Sequence, residues 1–164
     1  MTFNVGDPVM HWTYGLGHII GLEERALSGQ KALYYAVKVR DMTVWVPDDD
    51  GIGRRLRPPT TKNGFKRLLA ILSAPAEPLP DDRQERKLQL VERLRDGKPE
   101  SLCRVIRDLA GFQHVRALND NDQSLMKRAR EALLSEWGFA LSVQPAQAEA
   151  DLHRLLTTAV APGD

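Results

Sequence analysis

The sequence of 164 residues is poor in cysteine and histidine, with one cysteine, Cys103, and four histidines. A single thiol excludes an internal disulfide and a cysteine-rich metal site, which fits a reducing compartment. The charges nearly cancel, at 23 basic and 22 acidic residues, so binding of nucleic acid needs local basic clusters rather than an overall field. Apolar runs stay far below the roughly 20 residues of a membrane span, and no secretory signal is visible. We therefore expect a soluble, cytoplasmic protein.

The motifs of common catalytic sites are also missing. The sequence has no Walker-type loop, no Gly-x-Gly-x-x-Gly before a helix and no His-Glu-x-x-His. His11 and His18 could approach each other across a hairpin, but two imidazoles without a third ligand are usually polar residues of the surface or the core margin. Cys103 lies beside apolar helix positions, which favours a small buried side chain. We predict a protein that is not an enzyme and has no metal or other cofactor.

The chain up to Pro58 has the composition of short strands and tight turns. It contains 6 of the 10 aromatic residues and 7 of the 12 glycines. Alternating patterns predict four strands, over Pro8 to Trp12, Gly17 to Arg25, Leu33 to Val39 and Met42 to Val46. A small apolar sheet of this length must bend to cover its own face. Residues 1–58 are therefore predicted to form a bent antiparallel sheet or small barrel.

After Pro58-Pro59 the apolar period changes from about 2 to about 3.6, which indicates helices and a domain boundary. The predicted apolar stripes are Phe65, Leu68, Leu69 and Leu72; Leu88, Val91 and Leu94; Leu102, Val105, Ile106 and Leu109; Leu125, Ala129, Leu133 and Trp137; and Leu152, Leu155 and Leu156. Residues 62–164 are predicted to form a helical domain, so the fold class is α+β, a small sheet followed by helices.

Several short motifs occur in a fixed order along both halves. They are Phe3-Asn4-Val5-Gly6-Asp7, Tyr14-Gly15-Leu16-Gly17, Tyr34-Tyr35-x-Val37-Lys38, Val44-x-Val46-Pro47, Leu72-x-Ala74-Pro75, Val105-x-Arg107-Asp108-Leu109 and Lys127-x-Ala129-Arg130. The motifs and their order resemble those of the CarD family of bacterial transcription factors over nearly the whole chain. The resemblance implies a Tudor-like N-terminal module that docks on the β subunit of RNA polymerase. It also implies a helical domain that touches promoter DNA at the upstream edge of the melted region, where a tryptophan acts as a wedge.

The resemblance places the polymerase-facing surface on the second to fourth strands. Arg25 matches a basic position that the family uses against the β subunit, and Leu27 is an apolar neighbour. Trp45 stands where relatives have an arginine. Strand alternation puts Thr43 and Trp45 on one face and Val44 and Val46 on the other, which favours an exposed Trp45 over a core residue.

The sequence departs from the family at the wedge. The proline-rich connection before the second predicted helix is followed by Arg83 at the wedge position, and the three tryptophans lie elsewhere. An arginine can enter a narrow minor groove but does not separate bases as a flat ring does. Arg83, Arg86 and Lys87 share the spacing of one helical face and are the predicted DNA-binding residues. Residues 81–96 hold 5 basic and 5 acidic side chains, so an ordinary charged helix surface is the alternative.

We expect a transcription regulator that binds the RNA polymerase β subunit through its first domain and promoter DNA, weakly, through its second. It would modulate the stability of the open complex, and we expect a monomer. The alternative is a protein adaptor that docks on polymerase or another protein without DNA binding.

Overall fold

The computed structural model describes residues 2–27 and 29–160, without the side chains of Leu27, Ala159 and Val160. The chain divides into two units, one up to Pro59 and the other from Thr60 onward. The first unit contains the sheet and the second contains five helices within its described residues. The predicted α+β fold class is confirmed.

The first unit, here called the β unit, is a five-stranded antiparallel sheet with the strand order β4-β3-β2-β1-β5. The strands are β1 (Pro8–His11), β2 (Gly15–Leu27), β3 (Gln30–Val39), β4 (Met42–Pro47) and β5 (Leu56–Arg57), with a short helix α1 (Ile52–Arg55) before β5. The four predicted strands are present, and β2 and β3 extend beyond their predicted bounds as a long hairpin. The sequence pattern missed β5 because two residues are too few to show an alternation.

One face of the sheet carries the core of the β unit. Its buried members are Phe3, Val9, Ile19, Tyr35, Val37, Val39, Val46, Ile52 and Leu56. A register shift between Ile19 and Gly21 marks a bulge in β2, and bulges bend a sheet. Gly17 allows the backbones to pass closely, since an added Cβ would lie 2.6 Å from the Lys38 carbonyl oxygen. Both features that allow the predicted sheet to bend and to pack closely, the bulge and Gly17, therefore lie in β2.

The second unit, here called the helical unit, contains α2 (Lys62–Ser73), α3 (Arg83–Leu94), α4 (Pro99–Gln113), α5 (Asp120–Leu141) and α6 (Pro145–Val160). Three of these helices have an N-cap residue whose side chain accepts a hydrogen bond from a backbone N–H of the first turn. These residues are Thr61 for α2, Asp82 for α3 and Asn119 for α5. Pro99 stands in the first turn of α4, where its missing N–H costs nothing.

Two apolar clusters fill the helical unit. The larger one joins α2, α4, α5 and α6 and includes the buried Cys103 and Trp137. The smaller one holds α3 and consists of Leu79, Leu90, Val105, Leu109, Phe112, Leu118 and Leu125. Helix α3 thus contributes a single fully buried apolar residue, Leu90, to its cluster. Apolar burial alone gives α3 a weak attachment, and polar contacts must supply the rest.

The predicted apolar stripe of α3 is wrong at Leu88 and Val91, whereas its third member, Leu94, is partly buried against the smaller cluster. Leu88 and Val91 are 68% and 44% exposed, whereas Arg86 is buried at 3% exposure and Leu90 is fully buried. The buried face of α3 is rotated away from the predicted one because two arginines of this helix find carboxylate partners inside the unit. The sequence pattern treats Arg86 as an exposed residue, and it therefore places the centre of the buried face of α3 at the wrong position.

The described residues contain no helix with both the length and the apolar character needed to cross a membrane. The longest of these helices, α5, has 22 residues and carries charged side chains along its length.

Candidate functional site

Two of the three residues predicted to face polymerase are in contact on the β unit. The Arg25 guanidinium lies over the Trp45 ring, 4.2 Å from the ring centroid. Arg25 on β2 pairs with Ala32 of β3, and Trp45 on β4 pairs with Ala36 of β3. Arg25 and Trp45 thus lie on the two strands that flank β3, and their long side chains meet across it. This cation–π contact holds the arginine head group at a fixed place on the sheet.

The Arg25–Trp45 pair lies on the sheet face opposite the core. Tyr35 and Val37 point to the core, so their neighbour Ala36 and its partner Trp45 belong to the other face. Trp45 and Arg25 are both half-buried, and the Glu23 carboxylate lies 3.9 Å from the Arg25 guanidinium. The side chain of Leu27 lies outside the described residues, and only its backbone position opposite Gln30 is defined.

On the helical unit, the three residues predicted to bind DNA do not share one surface. Arg83 and Lys87 are exposed, but Arg86 is buried among the helices. The Arg86 guanidinium donates from Nε and Nη2 to the Asp122 carboxylate at 2.9–3.1 Å, and from Nη1 to the carbonyl oxygens of Pro80 and Asp81. Its donors are used inside the fold, so we leave Arg86 out of the DNA-facing set.

Asp122 serves two structural purposes. Its backbone and side chain complete the capping box of α5 with Asn119, and its carboxylate is the partner of Arg86. The Arg86 head group also lies 4.6 Å above the centre of the Phe112 ring of α4. A single arginine therefore joins α3, α4, α5 and the loop before α3. Paired charge and complete hydrogen bonding are what make such burial tolerable.

A second arginine fixes the other end of α3. Arg93 forms an ion pair with Asp108 of α4, a carboxylate that is fully buried. Asp108 also accepts from the Glu77 backbone N–H at 2.9 Å and from Arg107 at 2.9 Å. Helix α3 is thus held at both ends by arginine–carboxylate pairs. This arrangement determines which side chains of α3 face outward.

The exposed surface of residues 81–96 is acidic rather than neutral. Arg86 and Arg93 are paired with buried carboxylates, so the net charge of this surface depends on the other charged residues, all of which are exposed. Three are basic, Arg83, Lys87 and Arg95, and five are acidic, Asp81, Asp82, Glu85, Glu92 and Asp96. Phosphate binding needs clustered positive charge, so this surface by itself is a weak attractor for DNA.

Sequence reasoning missed Asp108 and Asp122 as the partners that bury the arginines. Asp122 is the last of four consecutive residues, Asn119 to Asp122, that can all cap a helix. The sequence pattern therefore does not single out Asp122 as the partner of a buried arginine. Asp108 stands in the apolar stripe of α4, between Val105 and Leu109. An acidic residue on an apolar helix face is the signal that predicts a buried ion pair.

The two histidines considered as a metal pair are separated. His11 lies opposite Gly15 and His18 opposite Pro8, at the two ends of the β1–β2 ladder. The described residues contain no group of three or more side chains suited to hold a metal ion. His11 is instead a buried structural residue, whose Nδ1 accepts the backbone N–H groups of Thr13 and Tyr14 at 3.1 and 3.2 Å. Burial lowers the pKa of His11 from 6.5 to about 4.

Comparisons with known proteins assign both units. The β unit and the helical unit match two family models that together describe a transcription regulator that interacts with RNA polymerase. Residues 3–54 match the CarD-like/TRCF RID domain, an RNA polymerase-interacting domain, and residues 67–153 match the CarD C-terminal domain. The chain belongs to the CarD family of transcription factors.

A curated relative covers most of both chains. The protein named "Putative transcription factor YdeB" of Bacillus subtilis (strain 168) is 26% identical over 137 residues, which are 82% of this chain and 89% of the relative. The resemblance on which the family was recognised from the sequence is confirmed.

We predict that the Arg86–Asp122 pair is essential to the helical unit. The substitution Arg86→Met should lower the free energy of unfolding by about 3–5 kcal/mol, because it leaves Asp122 buried without its partner. The double variant Arg86→Met/Asp122→Leu should be more stable than either single variant. Urea unfolding of the four proteins gives the coupling energy. The exposed Arg83→Met is the control and should change stability by less than about 0.5 kcal/mol. Additive losses from the two single substitutions would contradict the prediction.

We predict that His11 makes the β unit sensitive to acid. The folded state holds the imidazole neutral with a pKa of about 4, whereas the unfolded chain has a pKa near 6.5. Below pH 6.5 the unfolded state binds the extra proton, so stability falls as the pH falls, down to about pH 4. The expected loss between about pH 8 and about pH 5 is on the order of 2 kcal/mol.

The measurement is an NMR titration of the imidazole together with urea unfolding followed on amide signals of the β unit. His11→Asn, whose amide oxygen can replace Nδ1 as the acceptor, should remove this part of the pH dependence. His18→Gln, at an exposed position, should leave it unchanged. A titration midpoint near 6.5 for His11 would disprove the assignment.

Proposed function

We propose that the β unit docks this protein on the β subunit of RNA polymerase and that the helical unit contacts promoter DNA near the upstream edge of the bubble. The observation that carries the proposal is the Arg25–Trp45 pair on the open face of a domain of the polymerase-interacting type. Arginine and tryptophan are the residue types most enriched at binding hot spots. Leu27, at the end of the same strand, completes the proposed docking surface.

The docking geometry of Arg25 explains why it is suited to a partner. Trp45 covers one face of the guanidinium, so the arginine is partly ordered before binding and loses less side-chain freedom on association. The N–H groups at the edge of the guanidinium plane are suitable donors for a carboxylate or carbonyl oxygen of the β subunit. Glu23, at 3.9 Å, is too distant and too exposed to saturate these donors.

The helical unit would then act on the open complex by differential binding. Once docked, it is held beside the DNA at high effective concentration, so even weak contacts are populated. A protein that binds the melted form better than the closed form shifts the equilibrium by the difference in its affinities. Arg83 and Lys87 are the exposed residues of α3 proposed for this contact, with Arg83 in the place where relatives carry the wedge.

A second candidate function is that of an adaptor that binds polymerase or another protein and has no DNA contact. The net acidic surface of residues 81–96 favours it, because phosphates would be repelled there. The two candidates share the docking step and differ only in what the helical unit does.

For docking, we predict that Arg25→Glu in the full chain weakens binding to a purified polymerase β fragment at least about tenfold, or about 1.4 kcal/mol. Charge reversal removes the guanidinium donors and the cation–π contact together. Arg54→Glu is the matched control, since Arg54 is exposed on α1 of the same unit and the charge change is identical. Equal binding by the wild type and Arg25→Glu, measured by surface plasmon resonance, would reject the docking surface.

For DNA, we predict that the wild-type chain binds a melted-fork promoter fragment with an affinity that falls steeply as salt is raised. Two or three phosphate contacts correspond to a slope of about −2 to −3 in a plot of log K against log salt. Fluorescence anisotropy at several salt concentrations gives the slope. Failure to form a complex at any salt concentration would leave the adaptor as the function.

A further inference from the structure

The basic residues of the chain are concentrated in one segment. Residues 51–76 contain six basic and no acidic side chains, whereas the other 138 residues contain 17 basic and 22 acidic ones. Three of the six, Lys62, Lys66 and Arg67, belong to α2 of the helical unit. A protein with a net charge of +1 therefore has one strongly positive helix.

The three charges of α2 lie together on its outer face. Phe65, Leu68 and Leu72 are buried in the main core of the unit. At 100° per residue, the arc left exposed contains Lys62, Asn63, Lys66, Arg67 and Ala70, and all five are exposed in the structure. This arc, here called the α2 basic face, has no acidic and no large apolar residue.

The cations of the α2 basic face are not consumed by internal ion pairs. Lys62 and Lys66 have no ion-pair partner within the described residues. Arg67 lies 3.8 Å from Glu100 of α4, and its side chain remains 76% exposed. An exposed pair at that distance contributes little, so the guanidinium is available to another anion.

One of these charges, Lys62, does not stabilise the helix that carries it. Lys62 is the first residue of α2, where the helix dipole is positive and no acidic residue offsets it. The N-cap is supplied separately by Thr61, whose side chain accepts the Gly64 N–H. A cation kept at the unfavourable end of a helix indicates use by a partner.

We infer that the α2 basic face, rather than the exposed face of α3, is the main phosphate-binding surface of the helical unit. This inference rests on the proposed DNA contact and names the residues that carry it, Lys62, Lys66 and Arg67. Lys62 and Lys66 are one turn apart, about 6 Å along the axis, so they can contact neighbouring phosphates of one strand. The small Gly64 and Ala70 leave the backbone of the duplex free to approach.

The experiment compares two full-length variants that each lose three exposed positive charges. The α2 variant is Lys62→Gln/Lys66→Gln/Arg67→Gln, and the α3 variant is Arg83→Gln/Lys87→Gln/Arg95→Gln. Each is titrated with the same melted-fork DNA across salt concentrations. The α2 variant should bind at least about tenfold more weakly at about 0.1 M salt, with a slope reduced by about two. The α3 variant, which keeps the α2 basic face, should lose less affinity, about threefold, with a slope reduced by no more than about one.

Thermal unfolding and binding to the polymerase β fragment serve as controls. The α2 variant should unfold at the wild-type temperature or slightly above it, because Lys62 opposes the helix dipole. It should also bind the polymerase fragment as the wild type does.

Each other outcome overturns the inference in a recognisable way. A larger loss for the α3 variant would move the phosphate contact to α3 and leave the proposed function standing. Loss of polymerase binding by the α2 variant with unchanged DNA binding would identify an acidic protein surface as the partner of α2. No salt-dependent binding by the wild type would remove the DNA part of the proposed function itself.

Discussion

The buried ion pair between Arg86 and Asp122 is the interaction on which the outer surface of the helical unit depends. Helix α3 has only one fully buried apolar residue, so its rotation about its own axis is set by polar contacts. Arg86 at one end and Arg93 at the other turn α3 so that its leucine and valine at 88 and 91 face outward. The same pairs neutralise two positive charges, with Arg86 buried and Arg93 half-buried. What the helix presents to a partner is therefore decided by two carboxylates on other helices.

This use of arginine changes where positive charge is available. The chain has a nearly even number of basic and acidic residues, and no long-range field can select an anionic partner. Recognition then depends on where the cations remain unpaired and close together. On α3 they are consumed or offset by acidic neighbours, whereas on α2 they remain clustered on an exposed arc. This difference in the number of available, clustered cations is the basis for assigning the phosphate contact to α2 rather than to α3.

In the β unit, too, the availability of an arginine for a partner depends on the side chain that it contacts. Arg25 is neither buried nor fully free, because the ring of Trp45 supports one face of its guanidinium. The two residues lie on strands β2 and β4, on either side of β3. The arrangement ties a charge to a rigid sheet, which reduces the entropy lost when a partner binds.

The sequence by itself determined the features that depend on neighbouring residues. Strand alternation, turn glycines, the change of period after Pro59 and capping residues such as Asn119 are local signals, and ordered motifs identified the family. Tertiary structure alone decided which side chains of α3 are buried and which arginines stay free. The partner of Arg86 lies 36 positions along the chain, so no periodic pattern around Arg86 could reveal it. Burial of a charge is decided by the distant group that neutralises it, and folding brings the two together.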